Sequence, residues 1–222
     1  TQSITNAGAF QPDFVWIKGR TVVDNHFLYD SVRGATKYYS SDTTTAEGTI
    51  ANGLTSFNSN GFTLGDSGST NNSSYNFAAW QWNAGGANTT NTSGSITSIV
   101  RANQTAGFSI VTYSGTGFAG ATVGHGLGVA PSMIIVKNRN AVLDWIVGHT
   151  SLTSWNNFLL LNTTGAQAGA ASIWNNTAPT SSVFSIGSNA NVNFTSLTFV
   201  AYCFAEVAGF SKMGSYTGNG ST

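Results

Sequence analysis

Residues 131–139 read PSMIIVKNR and residues 12–20 read PDFVWIKGR, so one strand-like phrase is written twice with Pro, Lys and Arg at the same spacing. Laying the second half of the chain on the first extends the match. YYSSDTTTA (38–46) falls on FLLLNTTGA (158–166), GFTLG (61–65) on VFSIG (183–187), and FAAWQW (77–82) on FVAYCF (199–204). The offset drifts only from 119 to 122. Matches that stay in register this far predict two homologous units of one fold. A further phrase also recurs: FSIVTYSGTG (108–117) resembles FSKMGSYTGNG (210–220), with one residue inserted. Residues 114–130, seventeen in all, separate Tyr113 from Pro131. Joining the chain ends places residues 217–222 and 1–11, again seventeen, between Tyr216 and Pro12. The sequence therefore reads as one period of a tandem array.

The local pattern is β throughout. DFVWIK, FLYDSV, SIVTYS, MIIVKN, DWIVGH, FLLLN and LTFVAYCFA are short, β-branched or aromatic, and bounded by Gly, Asn, Ser and Thr. Apolar residues do not recur at helical spacing over three turns. Pro12 and Pro131 stand at strand entrances, where a missing N–H costs no ladder bond. The expected fold is all-β: two homologous antiparallel β-sandwich units, jelly-roll-like, in tandem. The first unit is expected over 1–86 and the second over 108–209. Residues 87–107 form the connection, polar and mobile in its first half, with SITSIV as an extra strand. Residues 210–222 are expected to be a terminal strand that opens a further unit.

Only 7% of the 222 residues are charged, where about 25% is usual, and eight basic side chains balance eight acidic ones. Without a basic stripe, nucleic-acid binding through counterion release is not expected. No apolar run reaches the length of a membrane-spanning helix. Cys203 is the single cysteine, which rules out an internal disulfide and a thiolate metal cage.

Motifs that resemble chemistry fail on context. GDSGS (65–69) resembles a serine-protease nucleophile loop, but no His loop accompanies it, and the aligned stretch of the second unit keeps only the first Gly. GTGFAG (115–120) has phosphate-loop spacing but runs into ATVGHGLG, a strand and turn, where a helix N-terminus is required. His26, His125 and His149 are scattered and make no zinc motif. DSGST and SSDTTTAE lack the spacing of a calcium loop, leaving for calcium only a site built partly from carbonyls. The eight acidic residues form no close pair suited to glycoside hydrolysis. No catalytic residue, metal site or cofactor is expected.

The aromatics suggest binding instead. Trp16, Trp80, Trp82 and Phe199 alternate within strands and read as core. TSWNNF and SIWNNT set Trp155 beside Asn156 and Asn157, and Trp174 beside Asn175 and Asn176. An indole that stacks on a sugar face, with amides bonding its hydroxyls, suits a neutral glycan; the competing role is an indole that caps the core. For self-association, Phe210 and Tyr216 of the terminal strand are expected to add to a neighbour's edge near Thr1 and Ile4.

The phrases PDFVWIKGR, HFLYDSVRG, SFNSNGFTLG, FAAWQWNAGG, TVGHGLGVAPSMIIVKNR and FVAYCFAEVAGFSKMGSYTGNG, over nearly the whole chain, resemble a repeat domain of virion proteins from tailed phages, particularly marine ones. The resemblance implies a concanavalin-like or laminin-G-like jelly roll. It also implies a non-enzymatic role on the particle surface as capsid decoration, fibre or tail appendage, contacting copies of itself, other virion proteins and host-surface glycans. It carries no catalytic residue onto any position here. The alternative is a carbohydrate-binding module of a secreted bacterial protein or depolymerase.

Overall fold

The computed structural model describes residues 1–221. Strands β1 (Gln2–Thr5), β2 (Phe14–Gly19), β3 (His26–Asp30), β4 (Lys37–Ser40), β5 (Gly48–Thr49), β6 (Leu54–Asn58) and β7 (Gly61–Leu64), the one-turn helix α1 (Gly68–Asn71) and β8 (Phe77–Trp82) make the first half. β9 (Thr89–Asn91) and β10 (Ser98–Asn103) follow. The second half holds β11 (Phe108–Ser114), β12 (Ala121–Gly124), β13 (Met133–Asn138), β14 (Ile146–His149), β15 (Asn157–Leu160) and β16 (Ala168–Gly169). Helix α2 (Ala171–Trp174), β17 (Val183–Ile186), helix α3 (Ala190–Asn193) and β18 (Thr198–Phe204) complete it. The protein is all-β with antiparallel sheets, as the short β-branched and aromatic runs predict.

Four sheets stack. The three-stranded sheet β1-β7-β6 covers the five-stranded sheet β5-β4-β3-β2-β8, and the pair β12-β17 covers the eight-stranded sheet β16-β15-β14-β13-β18-β11-β10-β9. Period-two alternation explains the layering. In β2, Val15 and Ile17 face the outer core with Leu54 and Phe62, while Phe14 faces inward. In β18, Phe199, Ala201 and Cys203 face one core while Val200, Tyr202 and Phe204 face the other. The two large sheets therefore pack back to back through their second faces. Phe14 stacks on Tyr202 at 4.4 Å between centroids, and Trp145 meets Tyr39 edge-on at 5.1 Å. Each of these buried aromatics contributes roughly 1.5–3 kcal/mol by leaving water. That inter-sheet core explains why the strands read as apolar runs instead of clean alternation.

Few charges exist, and most of the ion-paired ones gather between the two halves. Arg33 pairs with Asp30 and, at 3.2 Å, with Glu47; Arg139 reaches Glu47 at 2.9 Å, and Arg101 pairs with Asp13. Tyr202 donates its hydroxyl to Asp30 at 2.7 Å. Lys137, fully buried, donates to the carbonyls of Leu143 and of Thr44, the latter at 2.8 Å. These bonds tie residues 13–47 to residues 101–202. Burial pulls the Lys137 ammonium down to about 8, with Asp144 opposing.

Two stretches differ from their sequence reading. Residues 89–91, expected to be mobile, pair with β10 (Thr90 opposite Ile99), because threonines suit an exposed edge. The extra strand also starts later than SITSIV, at Ser98, with Ile96 making one parallel bridge to Val123. Residues 210–221, expected to be a strand, form one bridge, Val207 to Ser211, and no strand; Met213 donates its N–H to Glu206 at 3.1 Å and packs against the inter-sheet core. Both edges of β18 are already taken, by β13 and β11, so this segment has no free edge beside it.

Candidate functional site

The Trp–Asn motifs do not form a sugar platform. Trp174 lies on the one-turn helix α2 and is fully buried; its indole and that of Trp155 meet edge-on at 5.7 Å over Gly148. A Cβ at Gly148 would lie 2.5 Å from the Trp155 ring, so glycine there admits both indoles. Asn175 and Asn176 take left-handed backbone (φ 53° and 48°) to end the helix. Asn156 and Asn157 instead lie at the start of β15, against Gly169. The core-capping role therefore applies to Trp174, and the paired-indole glycan site is corrected. Among the described residues no three His, Cys, Asp or Glu side chains come together for a metal ion.

The structure does expose an edge. β8 pairs with β2 on one side, Trp16 opposite Trp80, and with no strand on the other among the described residues. Trp80, expected in the core, is 50% exposed there. β18 takes the same place in the larger sheet, pairing with β13, yet its other edge is covered by β11, Tyr113 opposite Phe199.

Beside the open edge lies a cavity of about 470 Å³ whose lining includes Ile17, Phe62, Thr70, Asn71, Tyr75 and Phe77. Ile4 and Gln2 of β1 close its far wall. Thr70 is almost completely buried, and its hydroxyl has no partner among the described residues. A buried unpaired hydroxyl costs about 1–3 kcal/mol, so it calls for an explanation. Asn71 donates to the Gly65 carbonyl at 2.5 Å, and its Oδ1 accepts nothing among the described residues.

The matching region of the second half is full. Tyr113, 4% exposed, stacks on Phe199 at 5.2 Å, meets Phe184 edge-on at 6.1 Å and donates to the Val192 carbonyl at 2.8 Å. Shifted by 122, those three neighbours are Phe77, Phe62 and Thr70, all in the cavity wall. Asn193, the counterpart of Asn71, donates to Gly187 and Phe118 carbonyls at 2.8 Å each. Its Oδ1 accepts from the N–H groups of Thr116 and Gly117 at 2.7 and 3.1 Å. Sequence reading paired the phrases but missed the cavity, since an unfilled place leaves no mark in a pattern of apolar residues.

Sheet and edge together define an antiparallel β protein in which β8 is paired on one side only, beside an unfilled groove. The chain belongs to the family described as a domain of unknown function, DUF7483, whose model matches residues 1–222. No curated protein and no solved structure matches it.

Proposed function

We propose that this domain is a non-enzymatic structural and adhesive module of a tailed-phage virion, built from two homologous sandwich units and acting by association with copies of itself. The observation that carries the reading is the unpaired β8 edge, set against the covered edge of β18. Element order supports the duplication. β1 to β5 match β12 to β16, β7 and β8 match β17 and β18, and α1 matches α3, at offsets of 119 to 122. Pairing agrees as well: Gln2 faces Leu64 where Ala121 faces Ile186. The interior acids Asp13, Asp30 and Glu47 are each bonded to arginine, which suits a cross-tie better than proton transfer. A surface of Asn, Thr, Ser and Gly offers salt few ion pairs to screen.

The test is antibody labelling of purified particles from a phage that encodes the chain. Labelled particles support the reading; antigen confined to the medium or the cell surface, with bare particles, overturns it. A carbohydrate-binding module is the second reading, favoured by the side-chain amides of Gln2, Asn71 and Gln81 around Tyr75 in the same cavity. It predicts sugar binding that is lost in Tyr75→Ala.

A further inference from the structure

We infer that residues 210–220 of a second copy of this domain add as a strand to the free edge of β8 and plug the adjoining cavity with Tyr216. This rests on the self-association reading and names its partner segment and register. In the second half, the strand on the corresponding edge is β11, and the one other stretch that resembles it is FSKMGSYTGNG. That stretch stands ready. Phe210 is 74% and Tyr216 95% exposed, and residues 212–221 pair with no strand.

The fit can be read atom by atom from the filled site. TYSGTG (112–117) lies on SYTGNG (215–220), so Tyr216 takes the place of Tyr113 and faces Phe77, as Tyr113 faces Phe199. Its ring meets Phe62 and Phe77, and its hydroxyl reaches Thr70, which supplies a carbonyl and the unpartnered side-chain oxygen. Asn219 and Gly220 take the places of Thr116 and Gly117, presenting their N–H groups to the vacant Oδ1 of Asn71. The backbone is already shaped for it. Gly117 has φ +77° and Gly220 +69°, a left-handed turn that glycine adopts without strain. Phe210 and Tyr216 are one residue further apart than Phe108 and Tyr113, which the added strand absorbs as a single-residue bulge. In this register the receiving edge is β8, where sequence expects the edge near Thr1 and Ile4; Ile4 serves as cavity wall, and Thr1 is exposed ahead of β1. A donor edge at one place and an acceptor at another make a heterologous contact, which extends head to tail.

Cysteines placed at a cross-strand pair test this directly, because Ser215 would sit opposite Ala78. Ala78→Cys and Ser215→Cys proteins, differing in mass tag, are mixed and oxidised; Cys203 stays inert, as burial pushes its thiol up to about 12. The expected product is a disulfide joining 78 of one chain to 215 of the other. It should fall at least tenfold when Tyr216→Ala is added to the donor or Asn71→Ala to the acceptor. Sedimentation of the unmodified protein should show mass rising with concentration from 23.1 kDa, and Tyr216→Ala should shift that rise at least tenfold higher. Tyr216→Ala should leave the melting temperature of the dilute monomer unchanged. Assembly that persists in Tyr216→Ala without the cross-link overturns this register and leaves self-association standing. A chain monomeric at every concentration overturns both. A disulfide formed within single chains of the double variant means the tail closes on its own β8 and overturns the second-copy assignment. Sugar binding at the cavity of a strictly monomeric protein overturns it in favour of the glycan reading.

Discussion

β8 and β18 do the same job in their sheets with different company. Each pairs with the strand that carries the repeated Lys, β2 or β13, and each sends a Phe into the adjoining core. Only β18 has a neighbour on its far side. The consequences follow from that one strand: Tyr113 is buried where the first half has a cavity, and Asn193 is fully bonded where Asn71 is not.

The sharpest way to break the comparison is to empty the filled site. Tyr113→Ala should cost about 3–5 kcal/mol, the range for deleting a buried aromatic, whereas Tyr216→Ala in the dilute monomer should cost under about 0.5 kcal/mol. Urea unfolding monitored by tryptophan fluorescence measures both, and equal costs would mean the two tyrosines do not occupy matching roles. Next comes the amide. Asn193→Ala strands two half-buried N–H groups and two carbonyls and should cost about 2–4 kcal/mol, while Asn71→Ala should cost about 1 kcal/mol or less in the monomer. The smallest effect concerns the repeated lysines. Lys137 is depressed to about 8 by burial, so between about 8 and its ordinary value of 10.5 the unfolded chain holds a proton that the folded chain has lost. Its contribution to stability therefore rises with pH across that window, by about 1.4 kcal/mol per pH unit, and is constant below it. Stability measured from pH 8 to 9.5, before the tyrosines intervene, should lose this slope in Lys137→Met and keep it in Lys18→Met.

Much of the fold was legible because strands announce themselves locally. DFVWIK and MIIVKN became β2 and β13, each entered behind its proline, and SIVTYS and LTFVAYCFA became β11 and β18. What stayed hidden is what alternation cannot encode. A strand apolar on both faces gives no sign of what covers the second, so the stacking of Phe14 on Tyr202 was invisible. The helices α1, α2 and α3 span four residues each, too few for any period to register. Trp174 beside two asparagines has the composition of a sugar site, but α2 turns the indole inward and the asparagines end the turn through their left-handed backbone. The tail was recognised by its likeness to β11, yet its destination needed the pairing of β18, which no single-strand pattern contains.

The back-to-back seam also governs how the chain can be handled. Phe14, Tyr39 and Leu28 from one half meet Tyr202, Trp145 and Ile135 from the other, and Arg33 reaches across to Tyr202 at 3.4 Å. A cut near residue 86 would strip both fragments of a shared wall and leave each with a wet, greasy plane holding a stranded guanidinium or phenol. Shortened versions made for crystals or display should therefore keep residues 2–205 whole, β1 included, and be trimmed only outside that span.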